Sequence, residues 1–373
     1  MEADHRIDTN ISKRVYPREN NDSALTFIFD SDPNLCLEKN KIQIGFTVEI
    51  PENYIPENGF CSKLFSSLGI EINSQLISSN RIRNEYPLID KLSKIGYFEA
   101  PYFTKAFLTE GLYSYSSRKF RLLSRKFFQG YFDQYCYSAT TDETNKEALI
   151  KHRRKYLTPK NKKYKYEFII VPNHGFLNTC QPLPPGTELK LTFERATAEH
   201  SLIKIKADSS LSGKVLSITN AFATASYKSS PYLRNYFGQI ETTPIPYEYE
   251  EMQVVSKNII PNTQIIRLDN VYGGNIPELI FVGIVPASNL NGNFAKTSTV
   301  FKQNDICEVN ISLNGSACQG YPIKINDEYP IWGYQKFLET TKRTYNPACA
   351  DVMALEQYLL NCVYGNNRSH WSF

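Results

Sequence analysis

The chain has 373 residues, a formal net charge of +4, 41% apolar and 21% charged residues, which leaves room for two domains with sizeable cores and excludes a disordered chain. So small a net charge excludes a global field of the kind that marks a whole protein as a nucleic-acid binder, so local patches have to be judged one by one. Aromatic residues make up 13%, with 25 Tyr and 22 Phe against 3 Met; flat rings suit pleated, half-buried surfaces, so an all-β protein is expected.

In chain order, residues 1–23 are polar, charged and rich in Asn, and are expected to form a flexible arm that orders on assembly. The start, MEADHRIDTN, lacks the apolar core of a secretory leader, and no apolar run is long enough to span a bilayer, so neither secretion nor a membrane span is expected. Leu25–Phe29 and Lys41–Ile50 predict strands; the second alternates Ile42, Ile44, Phe46, Val48 and Ile50 with mostly polar neighbours, which buries one face. Beyond a turn over residues 51–59, Ser62–Leu92 runs through Ser-x-x-Phe (Ser62, Phe65), an alternating strand, a turn on Asn73-Ser74, Tyr86-Pro87 and a short run of helical spacing.

Residues 96–166 have aromatic, basic and polar residues with weak periodicity and read as a long loop insertion. Its end is basic: Lys151, Arg153, Arg154 and Lys155, then Lys162, Lys163 and Lys165, interleaved with Tyr156, Tyr164 and Tyr166. These cations are the candidates for a nucleic-acid or inner-surface contact, in which bases stack on rings and lysines meet phosphates. The preferred account is plainer, a solvated loop, because no nucleic-acid recognition fold surrounds the run. Strands follow at Tyr166–Val171, at Leu189–Phe193 after a Pro-Pro-Gly turn, and within Ser201–Ala225.

Residues 231–246, rich in Pro, Tyr and Asn, mark the boundary between a first lobe, 24–230, and a second, 231–373. In the second lobe Met252–Ser256, Gln264–Leu268 and Glu278–Val285 predict strands, the last almost wholly apolar and so central in its sheet. After a Gly- and Asn-rich loop, Ser298–Leu338 repeats the earlier unit: Ser298 and Phe301, a turn on Asn314-Gly315, Tyr329-Pro330, then Phe337-Leu338. Asn-Gly supplies the positive φ a tight hairpin needs, and a repeat at domain spacing points to two copies of one β unit. Strands at this spacing without βαβ alternation make each copy a jelly-roll β-sandwich, two in tandem.

Several segments together, FCSKLFSSLGIEINSQLISSN with YPLIDKL, LPPGTELKLTFERA, ELIFVGIVPASNLNGNFAKTSTVF, the I-x-L-N-G turn and YPIWGYQKFLETT, resemble the double jelly-roll major capsid protein of the Polinton/Maverick and adintovirus group. Related capsid proteins occur in virophages and other large icosahedral DNA viruses. The resemblance covers about residues 24–341. It implies two upright jelly rolls per subunit and a homotrimer of pseudo-sixfold outline that tiles an icosahedral shell. It also implies minor capsid and penton proteins as partners, and residence in the virion after synthesis in the host cytoplasm, with assembly there or in the nucleus. Family members continue with further strands after Tyr-Pro, one ending in a Phe-Asp-Leu type sequence. Here ALEQYLLNCVYGNNRSHWSF has helical spacing instead (Met353, Leu355, Tyr358, Leu359, Cys362). The second sandwich is therefore expected to lack its closing strands, as in a truncated or degenerate copy.

Enzyme signatures are missing: there is no P-loop, no G-x-G-x-x-G, no G-x-S-x-G and no H-E-x-x-H. The five histidines are His5, His152, His174, His200 and His370; His174 near Cys180 is a loop histidine beside an unrelated thiol and not a catalytic pair. Glu248, Glu250 and Glu251, alternating with Tyr247 and Tyr249, read as a solvated strand edge or an inter-subunit contact before a cation site. The eight cysteines have neither C-x-x-C nor zinc-like spacing, so reduced thiols are expected, with no metal and no cofactor. The expectation is a structural protein, not an enzyme. The competing reading is a glycan- or receptor-binding sandwich in which a loop aromatic such as Tyr272 stacks on a sugar. Candidate contact segments for assembly are residues 1–23, 96–166 and 289–299.

Overall fold

The computed structural model describes residues 9–30, 32–57, 60–79, 154, 159–172, 174–205, 216–239, 244–249, 251, 253–269, 279–295, 306–313, 315–318, 322–324 and 364–367. Among the described residues the first half holds eleven strands: β1 (Thr9–Val15), β2 (Glu19–Asn20), β3 (Ala24–Phe29), β4 (Cys36–Pro51), β5 (Tyr54–Pro56), β6 (Phe65–Ile72), β7 (Gln75–Ser79), β8 (Lys163–Ile170), β9 (Leu189–Arg195), β10 (Leu202–Lys204) and β11 (Ile218–Ser229).

Two antiparallel sheets face each other, one in the order β1-β11-β4-β8 and the other β2-β3-β9-β6-β7. The late strand β9 lies between β3 and β6, and the later β11 between β1 and β4, the long-range insertion that distinguishes a Greek-key sandwich from a meander. Alternation decides which side chains enter. On β4 the even positions Ile42, Ile44, Phe46, Val48 and Ile50 are all buried, and they join Phe27, Phe29, Leu68, Ile70, Phe168, Leu191 and Phe193 in one core. Phe46 meets Phe65 of the opposite sheet edge-on, ring centroids 6.1 Å apart, and Phe65 meets Phe193 at 4.9 Å. Each such ring removed from water contributes roughly 2–3 kcal/mol before the edge-to-face preference is added.

The β6–β7 turn falls where the sequence places it: Asn73 and Ser74 both have positive φ, 47° and 65°. Asn73 also accepts from the Glu188 N–H through Oδ1 at 2.9 Å and donates its own N–H to Glu188 O at 3.1 Å, tying the turn to the entry of β9. Its counterpart in the second half is the hairpin of β14 (Ser312–Leu313) and β15 (Ser316–Ala317), with Gly315 at φ 85°. The other described strands of the second half are β12 (Leu279–Val282), β13 (Glu308–Val309), β16 (Ile323–Lys324) and β17 (Tyr364–Asn367), paired β12 with β17 and β13 with β16.

Four elements differ from the sequence reading. Thr9–Val15, expected in the arm, pairs with β11 along its whole length, and Glu19–Asn20 pairs with β3; Ile11 and Val15 are the only apolar residues of β1, a weak local signal that pairing with a long neighbour overrides. β8 begins at Lys163, inside the expected insertion, because Lys163 and Lys165 point outward while Tyr164 and Tyr166 point in. Residues 253–269 form no ladder among the described residues, although strands were expected at 252–256 and 264–268; they turn at Ile260–Thr263, where the Thr263 N–H donates to Ile260 O at 3.3 Å. Among the described residues of Glu278–Val285, Leu279–Val282 is a strand, and it pairs with β17, so the C-terminal stretch supplies a strand to the second half. The helical spacing of Met353–Cys362, Tyr86-Pro87, Tyr329-Pro330, Tyr272 and most of residues 96–166 lie outside the described residues.

Among the described residues no helix is long and apolar enough to cross a membrane.

Candidate functional site

The chemistry-bearing residues gather at two seams where chain beyond residue 240 meets the first sandwich. At the first, β4 carries Lys39 into the interior, where its side chain is 2% exposed. The Lys39 ammonium donates to Thr179 O at 3.3 Å and, more closely, to Thr179 Oγ1 and Gln181 O. It also sits over the rings of Phe176, 5.0 Å away, and Tyr247, 5.5 Å away. Burial pushes its pKa down to about 8, yet three oxygens and two ring faces still hold a cation there at neutral pH.

The short helix Gly175–Asn178 closes this seam, capped by His174: the Phe176 N–H donates to His174 Nδ1 at 3.2 Å. Desolvation lowers the His174 pKa to about 4, so the imidazole is neutral with its proton on Nε2. Against the helix lie Tyr247, whose hydroxyl donates to Pro182 O at 2.8 Å, and Tyr249, whose ring is 5.4 Å from Phe176 and 6.2 Å from His174. Gln181 Nε2 adds a bond to Pro246 O at 3.4 Å. Cys36, buried nearby, has its thiol pushed up to about 11 by burial, which makes it an inert core residue and not a nucleophile.

The second seam involves His200, 3% exposed on a single 3-10 turn. Its Nδ1 is 2.9 Å from Thr197 Oγ1 and its Nε2 is 3.2 Å from Leu290 O. A carbonyl only accepts, so Nε2 carries the proton and the threonine hydroxyl donates to Nδ1. Gly292, at φ 91°, lies against the imidazole so closely that a Cβ would come within 2.7 Å of it. The Lys204 N–H then donates to Phe294 O at 3.0 Å, and the Phe294 ring packs 5.2 Å from Tyr54. Thus Leu290–Phe294, part of the loop proposed for assembly contacts, makes these contacts within its own chain. Just below, Lys63 and Glu57 form an ion pair at 2.7 Å with both side chains almost wholly buried.

The basic candidates are dispersed. The Arg154 guanidinium donates to Tyr54 O at 3.1 Å and, more closely, to Glu52 O, and lies 4.4 Å from the Tyr164 ring centre, fastening the chain to the end of β4. Lys163 faces Glu49 at 3.8 Å and Lys165 faces Glu167 at 3.9 Å on the outer side of β8. Lys162 is exposed in the preceding turn at φ 58°. Lys151, Arg153 and Lys155 lie outside the described residues, as does Glu250. Glu248 and Glu251 are exposed, while Tyr247 and Tyr249 turn inward. His174 and Cys180 are not brought together as a pair: the imidazole is buried as a helix cap and the thiol is exposed. Lys39 was missed by the sequence reading, since it lies before the expected strand Lys41–Ile50, whereas β4 begins at Cys36; the inward alternation of Tyr247 and Tyr249 was the available clue to its ring partners.

What the arrangement does chemically is join segments. The polar groups at both seams are engaged in caps, carbonyl bonds and ring contacts.

No family model matches the chain, and no curated protein matches it. Among solved structures it is similar to VP54 of PBCV-1 as fitted into a cryo-EM reconstruction of the virophage Sputnik, with a TM-score of 0.56 at 13% identity over 98% of this chain and 79% of that one. It is similar also to the quasi-atomic model of the PBCV-1 virus capsid, with a TM-score of 0.52 at 12% identity and the same two coverages. A weaker likeness, TM-score 0.30 at 12% identity over 73% of this chain and 49% of the other, is to the mavirus major capsid protein. The fold is all-β, two jelly rolls in tandem.

Proposed function

We propose that the chain is a major capsid protein whose work is self-association into the shell of an icosahedral DNA virus or a virus-derived genomic element. The observation that carries this reading is the likeness of fold along 98% of the chain to structures that build viral capsids. Fold alone admits other roles for a sandwich, but a binding module needs one sandwich and this chain has two. Sites of the kind an enzyme displays are not what the seams offer: His174, His200 and Lys39 are buried and engaged in holding backbone and rings.

The finer reading is a homotrimer that then joins a lattice with minor capsid and penton proteins, located in the virion. Membership of the Polinton/Maverick and adintovirus group is supported by the motif order over residues 24–341. For the basic run the same reading assigns a solvated face before nucleic-acid contact, supported by Arg154 fastened to β4 and by the carboxylates opposite Lys163 and Lys165. Electron microscopy of the purified full chain tests the proposal. Particles of three copies with a six-lobed outline are expected; single copies that bind immobilised glycans would replace this reading with the sugar- or receptor-binding one.

A further inference from the structure

We propose that His174 is an acid-operated latch that holds the segment Pro244–Tyr249 against the first sandwich when neutral and releases it when protonated. The inference needs no assumption about assembly.

The geometry requires the neutral ring. Nδ1 accepts the Phe176 N–H at 3.2 Å, and a protonated imidazole has two donors and no acceptor, so protonation removes the cap and sets N–H against N–H. Phe176, whose amide is held, is the wall shared by everything docked there: its ring is 6.1 Å from Tyr247, 5.4 Å from Tyr249 and 5.0 Å from Lys39 Nζ. The His174 ring itself is 8% exposed and packs 6.2 Å from Tyr249. A proton on it would therefore place a second buried cation on a cluster that already holds Lys39.

The facing groups offer that second cation no counter-charge. From β4 come the Lys39 ammonium and the Cys36 thiol, kept protonated by burial. From the docked segment come the Tyr247 and Tyr249 phenols, both raised by burial and so uncharged, and Glu248 and Glu251, whose side chains are exposed to water. From the loop after the helix come Cys180 and Gln181, the latter bound to Pro246 O. An imidazolium finds relief by turning out to solvent, which gives up its packing against Tyr249. Burial already holds His174 well below the ordinary histidine range, which is the penalty this arrangement imposes. Between the closed-state pKa of about 4 and the open-state value near 6.5, each pH unit favours the open form by up to about tenfold, so between pH 7 and 4.5 the opening constant rises roughly fiftyfold.

The test is amide hydrogen exchange of the full chain from pH 7 to pH 4.5, corrected for intrinsic rates, with histidine-labelled NMR of the same protein. Expected is a roughly fiftyfold loss of protection at the Phe176 and Asn178 amides, which bond to His174, with loss of the Tyr247 and Tyr249 ring contacts to Phe176 in the NMR spectra, while Ile42–Ile50 of β4 stays protected and the onset follows the His174 resonance. In His174→Gln, whose carbonyl can accept the Phe176 N–H without titrating, the segment should stay docked throughout. The proposal is overturned if His174→Gln opens at the wild-type pH, if the segment opens only together with β4, or if wild-type His174 titrates near 6.5 with no change in protection.

Discussion

Phe46 and Ile265 show how differently the two halves treat apolar side chains. Phe46, 2% exposed, is enclosed by Phe65 and Phe168 because β4 has a hydrogen-bonded neighbour on each side and a second sheet across its face. Ile265, 84% exposed, lies in a stretch of comparable apolar content, with Val255, Ile259, Ile260, Ile266 and Leu268 exposed around it, and that stretch has no ladder among the described residues. Apolar residues at suitable positions do not make a strand. A ladder partner and an opposing sheet do, and in the first half β9 and β11 return from far along the chain to provide both.

The contrast can be broken first in the core. Phe46→Ala should remove about 3–5 kcal/mol from the denaturant unfolding of the first sandwich, since a cavity opens between two sheets. A comparable loss, about 3–5 kcal/mol, is expected for Lys63→Met, which leaves Glu57 buried and uncompensated; a much smaller loss would mean that water reaches the carboxylate.

Acid should act next. His174 has a folded-state pKa lowered to about 4 against an unfolded value near 6.5. The unfolded chain therefore binds more protons between these values, and stability present above pH 6.5 drains away as pH falls towards 4, by on the order of 3 kcal/mol in all. Urea midpoints at pH 7 and pH 4.5, compared between wild type and His174→Gln, check this; the variant should show the smaller difference.

Gly45 sharpens the comparison on the outer face of β4. The Phe222 ring of β11 covers it, with the Arg14 guanidinium of β1 stacked 4.1 Å from that ring, and a Cβ at Gly45 would run into the ring. Gly45→Ala should cost about 1–3 kcal/mol through displacement of Phe222. At the far end of the scale, Ile265→Ser should change stability by no more than about 0.5 kcal/mol, as befits a side chain open to water. A loss larger than that of Gly45→Ala would show that the second half covers this residue after all.

Much of the first sandwich was legible because its residues repeat local rules. The alternation of Ile42 to Ile50 named the buried face of β4, and Asn73-Ser74 named the hairpin, since few residue pairs tolerate two positive φ angles in succession. What stayed hidden depended on contacts remote in sequence. Thr9–Val15 looks like an arm until β11, more than two hundred residues later, offers it an edge. Lys39 looks solvent-facing until Thr179, Gln181 and Tyr247 surround it. In the same way Leu279–Val282 looks central, yet its described partner is Tyr364–Asn367 alone. The seams were the least legible part: the alternation of Tyr247 and Tyr249 with Glu248 reads as a solvated edge or an inter-subunit contact until Phe176 and Lys39 give the rings a surface in their own chain.

The central claim, that this tandem sandwich exists to associate with copies of itself, is tested most directly by the mass of the full chain in solution, measured by light scattering after size exclusion. The account predicts a stable species of about three times the 42.8 kDa subunit mass. A clean monomer that does not associate on concentration would contradict it.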